Sequence, residues 1–283
     1  MEWLPQDYEG AWTLGGNVCR RGVGLHSGNE SEVTLLPIEE RGFHVSWINS
    51  DEPPITLNPS HVVNSQLCTS IHLGNKKLLT VEHLLAALVG CGLTHVHILV
   101  SGNEIPLLDG SAIEWVNAIR DVGLVSAKTS RLPCPVIQEP FVLSKGSSLI
   151  TVTPSKTCNL IGIIDFPYPA IGSQVLSLEL TPKTFVKQIA PARTFGFKDQ
   201  IESLVNAGLI KGGSLNNALV CDGHTWLNPP LRFKDEPIRH KLLDLIGDLA
   251  FVGLPKAQIL VYRGSHELHA QLANLLFQKS SSI

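Results

Sequence analysis

Two leucine-rich segments with the same layout constrain this chain more than any other feature. Glu82-His83-Leu84-Leu85 opens the first, which ends at glycine and feeds Val96-His97-Ile98-Leu99-Val100-Ser101-Gly102. Arg239-His240-Lys241-Leu242-Leu243 lies in the second, which feeds Ile259-Leu260-Val261-Tyr262-Arg263-Gly264. Each puts a histidine near the start of a helix, then a Val/Ile strand, then glycine. The pattern predicts a duplicated α+β unit. The two helices would then face each other across an interdomain cleft, a favoured place for a site. A length of 283 residues has room for two modest domains.

Around these segments the periodicity predicts half-buried strands over 31–37 and 42–48, with alternating apolar residues. It predicts a helix from Thr80, as N-cap, to a stop at Gly90, a strand over 94–100 and a helix over 111–122. The polar, proline-punctuated stretch Ser126-Ala127-Lys128-Thr129-Ser130-Arg131-Leu132-Pro133-Cys134-Pro135 reads as a linker, giving domains 1–128 and 129–283. Beyond it strands are expected over 136–143, 148–154, 160–166 and 257–262. Helices are expected over 199–207, 237–251 and 267–277.

Charge and cysteine usage remove several function classes. Lys and Arg total 22 against 25 Asp and Glu, a net charge of -3, so binding of nucleic acid by bulk charge is not expected. The six cysteines are scattered and form no C-x-x-C pair, which argues against a disulfide scaffold and a cysteine-rich zinc site and for reduced thiols in a cytoplasmic protein. The acidic start Met1-Glu2-Trp3-Leu4-Pro5-Gln6-Asp7 matches neither a signal peptide nor a transit peptide. The longest apolar run, about 84–93, falls short of the roughly 20 residues of a membrane span; peripheral membrane contact stays open.

The chemistry concentrates on the two helices. His240 and Asp244 are spaced i, i+4, on one helical face, and both are zinc-ligand types. A plain exposed His–Asp pair is the other reading. The echo supplies His83 as a third ligand, and three protein ligands leave zinc an open position. Glu82, about 100° round the helix from His83, suits a general base; its alternative is a first-turn carboxylate favoured by the helix dipole.

Taken in order, several segments resemble UDP-3-O-acyl-N-acetylglucosamine deacetylases, the zinc amidases of lipid A biosynthesis. They are Gly22-Val23-Gly24-Leu25-His26-Ser27-Gly28, Thr80 to Leu88, Asn103 to Ala112, Ala192-Arg193-Thr194-Phe195-Gly196-Phe197, and Leu231 to Leu249. The similarity runs from about Thr13 to Leu272. It implies two similar domains, each a two-layer sheet-and-helix sandwich (ribosomal protein S5 domain 2-like), with a zinc cleft between them. By resemblance, His83, His240 and Asp244 bind Zn2+ and Glu82 is the base. His266 is the general acid or oxyanion-stabilising imidazolium, oriented by Asp248. Thr194 donates to the oxyanion, and Lys241 is a cation of the substrate region. Phe195 walls an acyl passage formed by an insert at about 195–213, with Phe197, Ile201, Leu204 and Ile210 as lining; these could equally be insert core. His26 is expected to contact substrate, and Arg239, with Lys241, to meet its anionic group. The implied activity is zinc-dependent hydrolysis of the N-acetyl group of an acylated UDP-sugar by a monomer. A zinc amidase with another N-acetylated substrate and a non-catalytic acyl-sugar-nucleotide binder are the rivals.

Three departures from the family pattern stand near the expected acid: Ser265 in place of glycine, His269 in place of asparagine, and a shorter connector at 227–231. Cys68 falls where the family often has a cysteine near the zinc, and its thiolate could take a second, inhibitory zinc. His95 and His97 alternate in a strand and share a face, either as a metal pair or as a solvated sheet surface.

Overall fold

The duplication is visible in the order of the strands. A computed structural model describes residues 2–63 and 65–281. Its helices are α1 (Glu82–Gly90), α2 (Ile113–Val122), α3 (Pro182–Thr184), α4 (Lys198–Asn206), α5 (Glu236–Leu249) and α6 (His266–Ser281). In the first sheet His95–Val100 is central. It runs antiparallel to Glu30–Pro37, itself paired with Val18–Val23, and parallel to Gly42–Trp47, itself paired with Ile55–Thr56. In the second sheet Ala257–Tyr262 is central. It runs antiparallel to Ser148–Pro154, itself paired with Phe141–Lys145, and parallel to Asn159–Asp165, itself paired with Ser173–Glu179. The first sheet has two further strands, Trp12–Leu14 and Leu124–Ser126; apart from these the two five-strand arrangements are the same, and each central strand follows its histidine-bearing helix. The chain is therefore α+β, with helices layered on two separate sheets.

Each repeat carries an insertion before its histidine helix. In the first half a three-stranded sheet (Val62–Val63, Ser70–Leu73, Lys76–Leu78) precedes α1. In the second half another (Phe195–Phe197, Leu219–Asp222, Thr225–Trp226) precedes α5 and carries α4. One apolar core runs through both halves; a smaller one, built on Ile164, Ile171, Cys221 and Ile238, lies under the second insertion.

Helices α1 and α5 pack together at the centre. Every residue of α1 is buried: its Leu and Ala side chains fill all its faces, with α5 and α2 packed against it. Their approach is set by Gly247, where an added methyl would land on the carbonyl oxygen of Glu82. Gly247→Ala should gain up to about 1 kcal/mol of helix propensity but force the helices apart, a strain of about 1–3 kcal/mol or more. A net loss is expected, read as a lower denaturant midpoint; a gain would show that the helices are not in backbone contact.

Several local expectations need correction. Thr80 is not the N-cap of α1: its φ is +58°, Val81 occupies the cap position, and the Thr80 hydroxyl donates to Glu104 instead. Gly90 is the last helical residue, but its lack of a side chain serves packing, since a Cβ there would sit 2.5 Å from the Phe185 ring. The strand expected over 136–143 begins only at Phe141. His95 is fully buried rather than solvated, and both its ring nitrogens are engaged, by the hydroxyls of Thr94 and Thr129. The latter contact ties the linker to the first sheet.

Candidate active site

His83, in the first turn of α1, and His240 and Asp244, one turn apart on α5, converge where the two helices meet. One ligand atom from each lies within 4.8 Å of the others. All three residues are buried, which removes the exposed-pair reading. Asp244 Oδ1 lies 3.4 Å from His240 Nε2 and 3.7 Å from His83 Nε2, too far to be hydrogen-bonded. It has no other hydrogen-bond partner, although Oδ2 of the same carboxylate accepts from Lys241 at 2.8 Å. His240 Nδ1 donates to the Ala192 carbonyl at 3.0 Å, so its Nε2 presents a lone pair to the cluster. A buried carboxylate oxygen left bare between two imidazole nitrogens fits a divalent cation.

The electrostatics agree with a ligand set. Burial and the neighbouring His240 push the His83 imidazole down to about 3, and burial lowers His240, so both rings are neutral. Burial opposes ionisation of Asp244, but Lys241 and the surrounding imidazoles hold it well below the usual carboxylate range. Lys241 sits against the Asp244 carboxylate, which supports the lysine charge against burial.

Glu82 precedes His83 and is almost fully buried, which raises its carboxyl well above the ordinary value and makes its carboxylate a stronger base. Its Oε2 accepts the Thr69 amide at 3.0 Å. His266, the first residue of α6, places Nε2 4.0 Å from Asp244 Oδ2 and Nδ1 2.9 Å from Asp248 Oδ2. Burial works against its charge, but Asp248 carries it up to about 10. The Asp248 carboxylate thus favours the protonated ring. The two departures beside it are structural partners. Ser265 Oγ accepts the Leu268 amide at 3.3 Å, an N-cap for α6 that glycine could not supply. His269 Nδ1 donates to the same Asp248 oxygen at 2.9 Å.

Thr194 lies in the loop between the Ala192 carbonyl and Phe195, its amide bonded to the Gly110 carbonyl at 2.7 Å. The Phe195 ring is 6.3 Å from the His240 ring, edge to face. From there Phe166, Phe197 and Tyr168 extend as an aromatic wall, Tyr168 stacked on Phe197 at 4.2 Å. No residue of α4 is buried, so Ile201 and Leu204, like Ile210 beyond the helix, are half-exposed and not closed core. His26 is 4 % exposed, and neither ring nitrogen has a hydrogen-bond partner. Asp235, the Gln188 carbonyl and the Phe233 ring engage the Arg239 guanidinium. Cys68 is buried, its thiol within reach of the Ser65 and Ser70 hydroxyls.

Residues that the motifs left without a role hold these groups in place. Glu104 accepts the amides of His26 and Ser27 and the Thr80 hydroxyl, each at 2.8 Å, fixing the His26 loop beside α1. Glu236, wholly buried, accepts from the amides of Arg193 and Arg232 and from the Arg193 guanidinium, clamping the loop that carries Ala192 and Thr194.

Comparison with known proteins decides the family. The profile described as UDP-3-O-acyl N-acetylglycosamine deacetylase matches residues 11–278. The chain belongs to this family. It is 45 % identical over 276 residues to the UDP-3-O-acyl-N-acetylglucosamine deacetylase of Nostoc sp., covering 95 % of this chain and 99 % of that one. It is 46 % identical over 257 residues to the protein of the same name from Synechocystis sp., covering 89 % and 93 %. The Thermosynechococcus vestitus protein of that name is 44 % identical, covering 94 % of each chain. No helix among the described residues is long and apolar enough to cross a membrane.

Proposed function

We propose that this chain hydrolyses the 2-acetamido group of UDP-3-O-acyl-N-acetylglucosamine, releasing acetate and the free amine, in lipid A biosynthesis. The observation that carries the reading is the bare Asp244 Oδ1 between two imidazole nitrogens, flanked by a buried Glu82 and by His266 hydrogen-bonded to Asp248. His83, His240 and Asp244 would hold Zn2+. Zinc, when bound, supplies a Lewis acid that polarises the amide carbonyl and makes water more acidic. Glu82 takes the proton of the attacking water. Thr194 donates its hydroxyl to the developing oxyanion, and the His266 imidazolium stabilises that charge and protonates the leaving amine. Lys241 keeps Asp244 ionised. Phe195, Phe197, Ile201, Leu204 and Ile210 offer an apolar path for the acyl chain, and His26 a polar contact for the sugar nucleotide.

We further read 1–128 and 129–283 as the domains, the insert as about 195–213, and the chain as a cytoplasmic monomer. The two separate repeats, each with its own central strand, support the division into domains. The test is acetate release from the acylated UDP-sugar by the zinc-loaded protein. One acetate per free amine is expected; substrate left intact would sink the assignment, and turnover of unacylated N-acetyl sugars alone would move it to another amide.

A further inference from the structure

Among the described residues, Thr69 is hydrogen-bonded to both arms of the proposed proton path. It stands just before the Ser70–Leu73 strand of the first insertion and is 3 % exposed. Its main-chain N–H donates to Glu82 Oε2 at 3.0 Å. Its side chain crosses to the second half, where Oγ1 lies 2.5 Å from Asp248 Oδ1 and 3.0 Å from His266 Nδ1.

The proton inventory of this cluster has one consistent solution. A carboxylate can only accept, so the single hydroxyl proton of Thr69 goes to Asp248 Oδ1. The Thr69 lone pair then faces His266 Nδ1, which must carry a proton and share it with Asp248 Oδ2 at 2.9 Å. That leaves Nε2 as the nitrogen directed at the reaction. Asp248 Oδ2 also takes the proton on His269 Nδ1, whereas among the described residues Oδ1 has no hydrogen-bond partner but Thr69. Without the hydroxyl, a buried carboxylate oxygen would be left bare. The group would be driven to rotate, taking Oδ2 away from His266.

We propose that Thr69 is a positioning residue coupling the two arms: its amide aims Glu82, and its hydroxyl locks the rotation of Asp248 and hence the orientation of His266. The roles of Glu82 and His266 rest on the function proposed above.

Two variants and a spectroscopic readout test it. Thr69→Val keeps the shape and the amide but removes the hydroxyl; Thr69→Ser keeps both donors. With zinc content matched, Thr69→Val should lower kcat about tenfold or more, the loss of one charge-assisted hydrogen bond, with KM within about threefold. Thr69→Ser should stay within about threefold of the parent kcat. In proton–nitrogen spectra of the 15N-histidine-labelled protein, assigned by comparison with His266→Gln, the His266 Nδ1 proton should be seen and slow to exchange. In Thr69→Val it should move upfield or exchange faster. The proposal is overturned if Thr69→Val keeps the parent kcat, if Thr69→Ser falls as far as Thr69→Val, or if the parent His266 shows no Nδ1 proton. A parent protein that releases no acetate overturns the proposed reaction instead; the histidine spectra then still decide the role of Thr69.

Discussion

Replacing Glu82 by glutamine is expected to lower turnover by roughly 10²–10⁴-fold, the usual worth of a general base, with the protein still folded and metal-loaded. Glutamine has nearly the same volume, so the tight contact between α1 and Gly247 is undisturbed. Its side-chain oxygen can still accept the Thr69 amide. What disappears is a carboxylate whose basicity is raised by burial. Substrate binding uses other groups, so KM should change little while kcat carries the loss. The measurement is acetate release at saturating substrate beside metal content. A fall of less than tenfold at full metal content would remove Glu82 from the role of base.

Asp244→Ala should abolish stoichiometric metal binding, and turnover with it. Asp244 is the anionic member of the trio and the centre of its geometry: Oδ1 faces both imidazoles and Oδ2 holds Lys241. Without it two neutral histidines remain beside an unbalanced ammonium, which repels a cation. Changes to mere supporting partners of metal ligands cost 10–100-fold in affinity, so loss of a ligand should cost at least about 100-fold. Competition against a chromogenic chelator measures it. Stripping the parent protein with a chelator should silence acetate release reversibly, zinc restoring it. A variant holding one equivalent of zinc at parental affinity would show that the ion sits elsewhere.

Periodicity and spacing carried the parts of this architecture that are locally encoded. The echo between 82–102 and 239–264 found the repeat because each unit's helix, strand and glycine are contiguous. The i, i+4 pair on α5 is likewise a local signal. The supporting residues left no such mark. Thr69, Glu104 and Glu236 act through hydrogen bonds to residues distant in sequence, as between Thr69 and Asp248, 179 positions apart. Arg239 pairs with Asp235 one turn before it, a contact whose geometry emerges only once the helix start is packed. Thr80 has the chemistry of a cap, but Glu104 competes for its hydroxyl and holds its backbone outside the helix.

The seam between the repeats also fixes when the site can come into being. Thr69 must find Asp248 and His266, 179 and 197 residues further along the chain. Contacts so distant in sequence close late in folding. As the chain leaves the ribosome, the first half can build its sheet long before α5 is made, but the side of α1 that α5 covers stays open until then. Until then His83 is a lone imidazole, unable to chelate. For the metal site proposed above, capture would thereby be postponed to the last stage of assembly, the ion recognising the finished fold and not guiding the chain toward it.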